Sequence, residues 1–315
     1  MSESPLPTVF LMGPTASGKT DLAVQLAETR NCEIISVDSA MVYRGMDIGT
    51  AKPTADVLQR APHRLIDIRD PTESYSAGDF RRDAVTQIAA IKEAGKVPLL
   101  TGGTMMYFHS LEYGLAELPP ATPDIREGIE HRAARTGWEA MHAELARVDP
   151  VSASRIHPND PQRIQRALEV FYASGDTMSD WIGRQRPSPI PGPLVKIALA
   201  DIDRPRLHER IERRFAAMMA AGFADEVARL RARGDLRADM ASMKAVGYRQ
   251  LWAVLDGECG MEEGVRRGIV ATRRLAKRQY TWLRAQINAI SLDPLESGNL
   301  ARITALIRDA SKFVE

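Results

Sequence analysis

The residues Gly13-Pro14-Thr15-Ala16-Ser17-Gly18-Lys19-Thr20 satisfy the spacing G-x-x-x-x-G-K-[ST]. Glycines there let backbone N–H groups close around phosphate oxygens. A helix starting at this point adds partial positive charge, and Lys19 adds a full one. Thr20 is placed to offer its hydroxyl to Mg²⁺. The pattern carries meaning only between a strand and a helix, and that context is predicted: Val9–Met12 reads as a strand and Asp21–Arg30 as the helix after it. The implied ligand is a diphosphate or triphosphate. A small-molecule or nucleotide kinase is one alternative class that such a loop serves.

The elements around this loop alternate in type. Glu33–Val37 reads as a second strand, Arg64–Ile68 as a weaker third and Val97–Thr101 as a fourth, running into Gly102-Gly103-Thr104. Between them Ser76 to Ala94 reads as a helix, with Ser76 as its cap, Asp79 at the N3 position and Gly95 ending it. Such alternation predicts an α/β fold: a P-loop-type parallel sheet core flanked by helices. Ligands of these sheets bind beyond the carboxyl ends of the strands. Asp38, Thr104 and the Asp201–Arg214 stretch all fall at that edge, although Asp38-Ser39 could equally be a helix N-cap and Thr104 a turn residue.

The next convincing strand, Leu194–Ile202, arrives about ninety residues later, too far for a structureless crossover. We therefore expect an inserted all-helical domain at 121–189, bounded by proline hinges at Leu118-Pro119-Pro120 and Pro187-Ser188-Pro189. It divides a catalytic core formed by 1–120 and 190–315, whose C-terminal part is helical.

The 315 residues are 44% hydrophobic and 26% charged, which excludes wholesale disorder, and two cysteines are too few for a disulfide framework. No apolar run is long enough for a membrane helix and no signal peptide is evident, so a cytoplasmic protein without a membrane partner is expected. A net charge of +1 does not announce a nucleic-acid binder, yet residues 265–284 carry seven Arg and Lys and no acidic residue. At about 100° per residue, Arg266, Arg273, Lys277 and Arg284 fall within roughly 40° of one another. Arg267, Arg274 and Arg278 make a second stripe, opposite an apolar face of Ile269, Ala276, Tyr280, Leu283 and Ile287. Two cationic rows beside a buried one suit a helix lying along a phosphate backbone.

Asp38-Ser39-Ala40-Met41-Val42-Tyr43-Arg44-Gly45-Met46-Asp47-Ile48-Gly49-Thr50-Ala51-Lys52-Pro53 resembles the signature of tRNA dimethylallyltransferases, also called tRNA isopentenyltransferases. The resemblance continues through His63 to Asp67, Gly102-Gly103-Thr104, Asp160 to Val170, Val246 to Arg249, and Thr272 to Arg284, in family order. Met41 departs from the glutamine or leucine expected there.

This resemblance implies transfer of a dimethylallyl group from dimethylallyl diphosphate to N6 of the adenosine 3′-adjacent to the anticodon (position 37), releasing pyrophosphate. The phosphate loop with Mg²⁺ would hold the diphosphate. The resemblance makes Asp38 the general base, with Thr104 beside it and Arg214 as a second cation at the pyrophosphate; Arg210 and Arg213 remain alternatives to Arg214. For the tRNA anticodon stem-loop it points to Ser39, Ala40 and Met41 beside Asp38. In the inserted domain it points to Arg126, Gln162, Arg163, Ile164, Gln165 and Arg166, of which Gln162, Gln165 and Arg166 share a helix face. Towards the C-terminus it adds Lys244, Gly247, Tyr248, Arg249, Lys277, Arg278, Gln279 and Arg284. A monomer is expected.

Overall fold

The computed structural model of the chain describes residues 6–120, 122–186, 188–286 and 288–311. Pro187 of the expected hinge and Ile287 of the expected apolar face lie outside them. Two compact units result, Met1–Glu112 with Ile190–Glu315, and Tyr113–Pro189.

The first unit begins with β1 (Thr8–Met12), α1 (Lys19–Thr29) and β2 (Cys32–Val37). Both faces of β1 are covered, as a parallel strand requires: Val9 and Leu11 pack with Ala23 and Leu26 of α1, while Phe10 and Met12 point to the opposite core. After α2 (Ala55–Arg60) comes β3, only His63–Arg64 rather than Arg64–Ile68. Leu65 and Asp67 adopt left-handed backbone (φ 63° and 57°), which no strand can continue. In α3 (Ala77–Glu93) the expected capping box is present, with Ser76 and Asp79 bonding each other's backbone N–H. The chain then forms β4 (Val97–Gly102) and α4 (Met105–Tyr113).

The second unit holds α5 (Pro123–Val148), α6 (Pro150–Arg155), α7 (Pro161–Ser174) and α8 (Met178–Arg184). Gly137 (φ 82°) breaks α5 into two helices, which pack on α7 around Ile129, Leu145, Ile164 and Leu168.

The first unit resumes with β5 (Leu194–Leu199), α9 (Arg204–Ala220), α10 (Phe223–Ala232), α11 (Tyr248–Leu255) and α12 (Met261–Arg284). β5 stops short of Ile202 because that side chain packs with Ala16, Leu207, Ile211 and Ala276 in a small apolar cluster. A sixth strand, β6 (Ile290–Leu292), precedes α13 (Asn299–Ala310). Three residues give no readable alternation, so the sequence showed only helices there. All strand pairings are parallel, in the order β3-β2-β4-β1-β5-β6. No helix among the described residues is long and apolar enough to cross a membrane.

Candidate functional site at the carboxyl edge of the sheet

Strand register assembles the site. Gly102 is level with Met12 on one side and Val37 on the other. The next residues, Gly13, Gly103 and Asp38, therefore leave the sheet side by side, at the place where the strand order reverses and such sheets bind ligands.

The phosphate loop lies between β1 and α1. Gly18 serves as the N-cap at φ 95°, a backbone state in which a Cβ is strained, and Ala16 sits at φ 63°. The first-turn N–H groups of α1 have no intrahelical acceptor and are available to an anion. Lys19 Nζ donates to Pro14 O (3.2 Å), and Arg210 Nε donates to Ala16 O (2.7 Å). Ser17 Oγ is buried and has no hydrogen-bond partner among the described residues.

Three charged groups converge here. Burial and the Arg214 guanidinium push the Lys19 ammonium down to about 8, and Asp38 partly offsets them. Burial also lowers Arg214, opposed by Asp38 and Asp21. Asp38, Lys19 and Arg214 thus share one electrostatic environment. Arg210 touches the loop itself, whereas Arg213 is largely exposed and pairs with Glu209.

Asp38 caps a turn, not a helix: its Oδ1 accepts from Ala40 N (2.8 Å) and Met41 N (3.2 Å). Among the described residues Oδ2 makes no hydrogen bond. Thr104 shapes the adjoining turn, its Oγ1 accepting from Ser39 N (3.2 Å). The helix N-cap weighed from the sequence for Asp38-Ser39 does not form, because turns rather than a helix follow, whereas the turn role weighed for Thr104 does; together these bonds fix Asp38 and Thr104 next to each other. On the outer side of the loop, a cavity of about 850 Å³ is lined by Lys19, Thr20, Asp21, Lys52, Arg210 and Arg214 among others.

The segment after Asp38 is pinned by Glu226, which the sequence did not flag, together with Tyr248, Lys52 and Arg214. Glu226 of α10 is 2% exposed and accepts from the N–H groups of Asp47 (3.0 Å), Ile48 (2.7 Å) and Gly49 (3.0 Å), and from Tyr248 Oη (2.5 Å). Lys52 donates to Tyr43 O, Asp47 Oδ1 and Asp67 Oδ1. Arg214 reaches Thr50 O at 3.5 Å. A carboxylate 179 residues from the Asp47 amide it binds leaves no local signal in the sequence.

Four residues expected to face RNA are turned inward. Tyr248 is fully buried, burial and Glu226 raise its phenol far above the ordinary range, and its hydroxyl is used on that carboxylate. Gly247 is buried at φ 94° against the Phe223 ring, so its small size serves core packing rather than nucleic-acid approach. Ile164 belongs to the core of the helical unit. Gln279 is 7% exposed and both ends of its amide are bonded within the protein.

Others remain at the surface. Lys244, Arg249, Lys277, Arg278 and Arg284 are exposed, as are Arg274, Gln162 and Arg163. The basic helix is less free than its composition suggests: Arg266 and Arg267 pair with Glu263, and Arg273 pairs with Glu212 of α9. In the helical unit, buried Glu169 gathers Arg126, Gln165 and Arg166, and Arg163 pairs with its own N-cap, Asp160.

For a metal, the described residues contain no cluster of three or more His, Cys, Asp or Glu. The donors present, the Thr20 hydroxyl and nearby carboxylates, suit a hard ion held chiefly by phosphate oxygens and water.

Fold and sheet edge together define an α/β protein of the P-loop class. A model of the IPP transferase family matches residues 41–286, and the chain belongs to that family. It is similar to the full-length tRNA isopentenylpyrophosphate transferase from Bacillus halodurans, at 36% identity over 98% of this chain and 97% of that one, with a TM-score of 0.71. A tRNA delta(2)-isopentenylpyrophosphate transferase from Staphylococcus epidermidis is 35% identical over 96% and 99%, with a TM-score of 0.68. A eukaryotic dimethylallyltransferase acting on tRNA shares the fold at a TM-score of 0.78 and 24% identity, over 96% of this chain and 78% of that one.

Proposed function

We propose that this enzyme transfers a dimethylallyl group from dimethylallyl diphosphate to N6 of the adenosine 3′-adjacent to the anticodon of tRNA, releasing pyrophosphate. The observation that carries this reading is the shared environment of Lys19, Arg214 and Asp38, two cations and a carboxylate at one sheet edge. A γ-phosphoryl transferase and a prenyltransferase both need the cations. A carboxylate with one oxygen engaged in its own turn and the other uncommitted suits proton removal from an amine.

The N6 lone pair of adenine is delocalised into the ring and attacks poorly. Asp38 Oδ2 takes the N6 proton as nitrogen bonds to the donor's C1 and the C1–O bond breaks, its electrons leaving on the diphosphate. Lys19, Arg214 and the loop N–H groups stabilise the charge developing on that leaving group. Thr20 would help to hold a Mg²⁺ ion, which when bound neutralises phosphate charge. Thr104 fixes the Ser39 amide and with it the turn that carries Asp38. An adenine stacked in a loop must be extruded to reach this edge, at a cost of a few kcal/mol, and Ser39, Ala40 and Met41 are the segment it meets. Exposed Arg274, Lys277, Arg278 and Arg284 of α12, with Lys244 and Arg249, supply phosphate contacts; Gln162 and Arg163 on the helical unit are further surface positions for the stem-loop.

Incubation with radiolabelled dimethylallyl diphosphate, Mg²⁺ and unmodified tRNA, followed by nucleoside analysis, tests this directly. Label on N6 of the adenosine beside the anticodon is expected. ATP turnover without RNA, or no label on adenosine, overturns it.

A further inference from the structure

Among the described residues, three side chains bond the backbone of the phosphate loop. Two are cations, Lys19 on Pro14 O and Arg210 on Ala16 O, and an arriving diphosphate competes for both. The third is neutral. Gln279 of α12 accepts from Thr15 N through Oε1 (2.9 Å) and donates from Nε2 to Gly103 O (2.9 Å). A neutral amide is not drawn to the anion, so this bridge persists when the cations turn to the phosphates. Its second anchor, Gly103, precedes Thr104, whose hydroxyl holds the turn of Asp38. Lys277 and Arg278, exposed to a polyanion, are the two residues before Gln279 on the same helix.

Gly103 shows that the space is reserved. A Cβ there would come within 2.3 Å of Gln279 Nε2, so this glycine keeps room for the amide. Buried side-chain amides with both ends satisfied fix relative position more than they add stability.

We propose that Gln279 is a positioning residue that locks the arginine-rich helix to both the phosphate loop and the Thr104 turn, so that RNA on α12 and diphosphate in the loop bind cooperatively. This rests on the functional reading above. RNA that steadies α12 steadies the Thr15 amide through Gln279, and by linkage an occupied loop tightens RNA binding by the same factor.

Calorimetric titration of inorganic pyrophosphate with Mg²⁺, with and without an unmodified anticodon stem-loop RNA, tests the proposal. For the unmodified protein, RNA should tighten pyrophosphate binding at least about fivefold. Gln279→Leu keeps the volume and removes both bonds. It should weaken pyrophosphate about tenfold and abolish the RNA effect, while RNA alone binds within about twofold of normal. Gln279→Glu, still able to accept from Thr15 but not to donate to Gly103, also sets a carboxylate beside the anion site, so it should weaken pyrophosphate at least as much as Gln279→Leu and lose the coupling. Gln279→Ala, which removes both bonds and leaves room for a Cβ at Gly103, should show the same losses as Gln279→Leu; Gly103→Ala, which displaces the far end of a flexible side chain, should reproduce them, and the double variant should be no worse than Gln279→Ala. Coupling that survives in Gln279→Leu, or Gly103→Ala and Gln279→Ala losses that add, overturns the proposal and leaves the functional reading standing. If the unmodified protein does not bind pyrophosphate, both fall.

Discussion

Two sets of cations within the same unit behave as different chemical species. Lys19, Arg210 and Arg214 lie around the phosphate loop: Lys19 and Arg210 are bonded to its backbone carbonyls, and Lys19 and Arg214 are desolvated and feel the Asp38 carboxylate. Arg274, Lys277, Arg278 and Arg284 lie on the outside of α12 in water. A charge removed from water acts strongly over short distances and in one direction, whereas an exposed one is screened within about 8 Å at physiological salt and acts through number. The first set is suited to steering bonds that form and break. The second is suited to gathering a polyanion.

That contrast can be broken most decisively at the buried end. Lys19→Ala, which removes a cation from the leaving diphosphate, or Asp38→Asn facing it, which removes the general base, should each lower the rate of transfer by about 10² or more, while stem-loop RNA affinity stays within about twofold. Single-turnover kinetics beside filter binding would separate the two effects; equal losses in rate and RNA affinity would dissolve the distinction.

Replacing Arg274, Lys277 and Arg278 together by alanine should do the reverse, weakening RNA about tenfold or more at low salt. Every side chain that had neutralised a phosphate should, once removed, flatten the slope of log affinity against log salt by about 1. Pyrophosphate affinity measured without RNA should not change.

A pH series sharpens the comparison further. With Lys19 at about 8 in the folded protein against an ordinary 10.5, the unfolded chain holds a proton in that window that the folded chain has released. Stability of the free protein should therefore rise with pH across it, while pyrophosphate affinity falls as the ammonium is lost above about 8. RNA affinity through the exposed arginines should stay flat over the same range. A Tm that falls as pH rises through the window would contradict the burial of Lys19.

The smallest expected effect concerns Tyr248, which belongs to neither set. Tyr248→Phe removes one bond to buried Glu226, costing about 1 kcal/mol in urea denaturation. RNA affinity should be unaffected, because the ring never reaches the surface.

What was legible in the sequence was local. The G-x-x-x-x-G-K-[ST] spacing carries its own geometry, because consecutive N–H groups and the helix start lie within eight residues. The Ser76–Asp79 capping box and the strand and helix of the first βα unit follow from neighbours three or four apart. Arg64–Ile68 failed because apolar residues read as strand while Leu65 and Asp67 take left-handed backbone imposed by their turn.

The ordered blocks determined the family and the residue types at the sheet edge, since spacing and side-chain chemistry are written directly in the chain. Burial is not. Lys277, Arg278 and Gln279 are adjacent letters, yet the first two face water while the third bonds Thr15, 264 residues away. Only packing across such separations decides which polar groups lose their water, and a group that has lost its water must find a partner inside the protein before it can offer anything to a ligand.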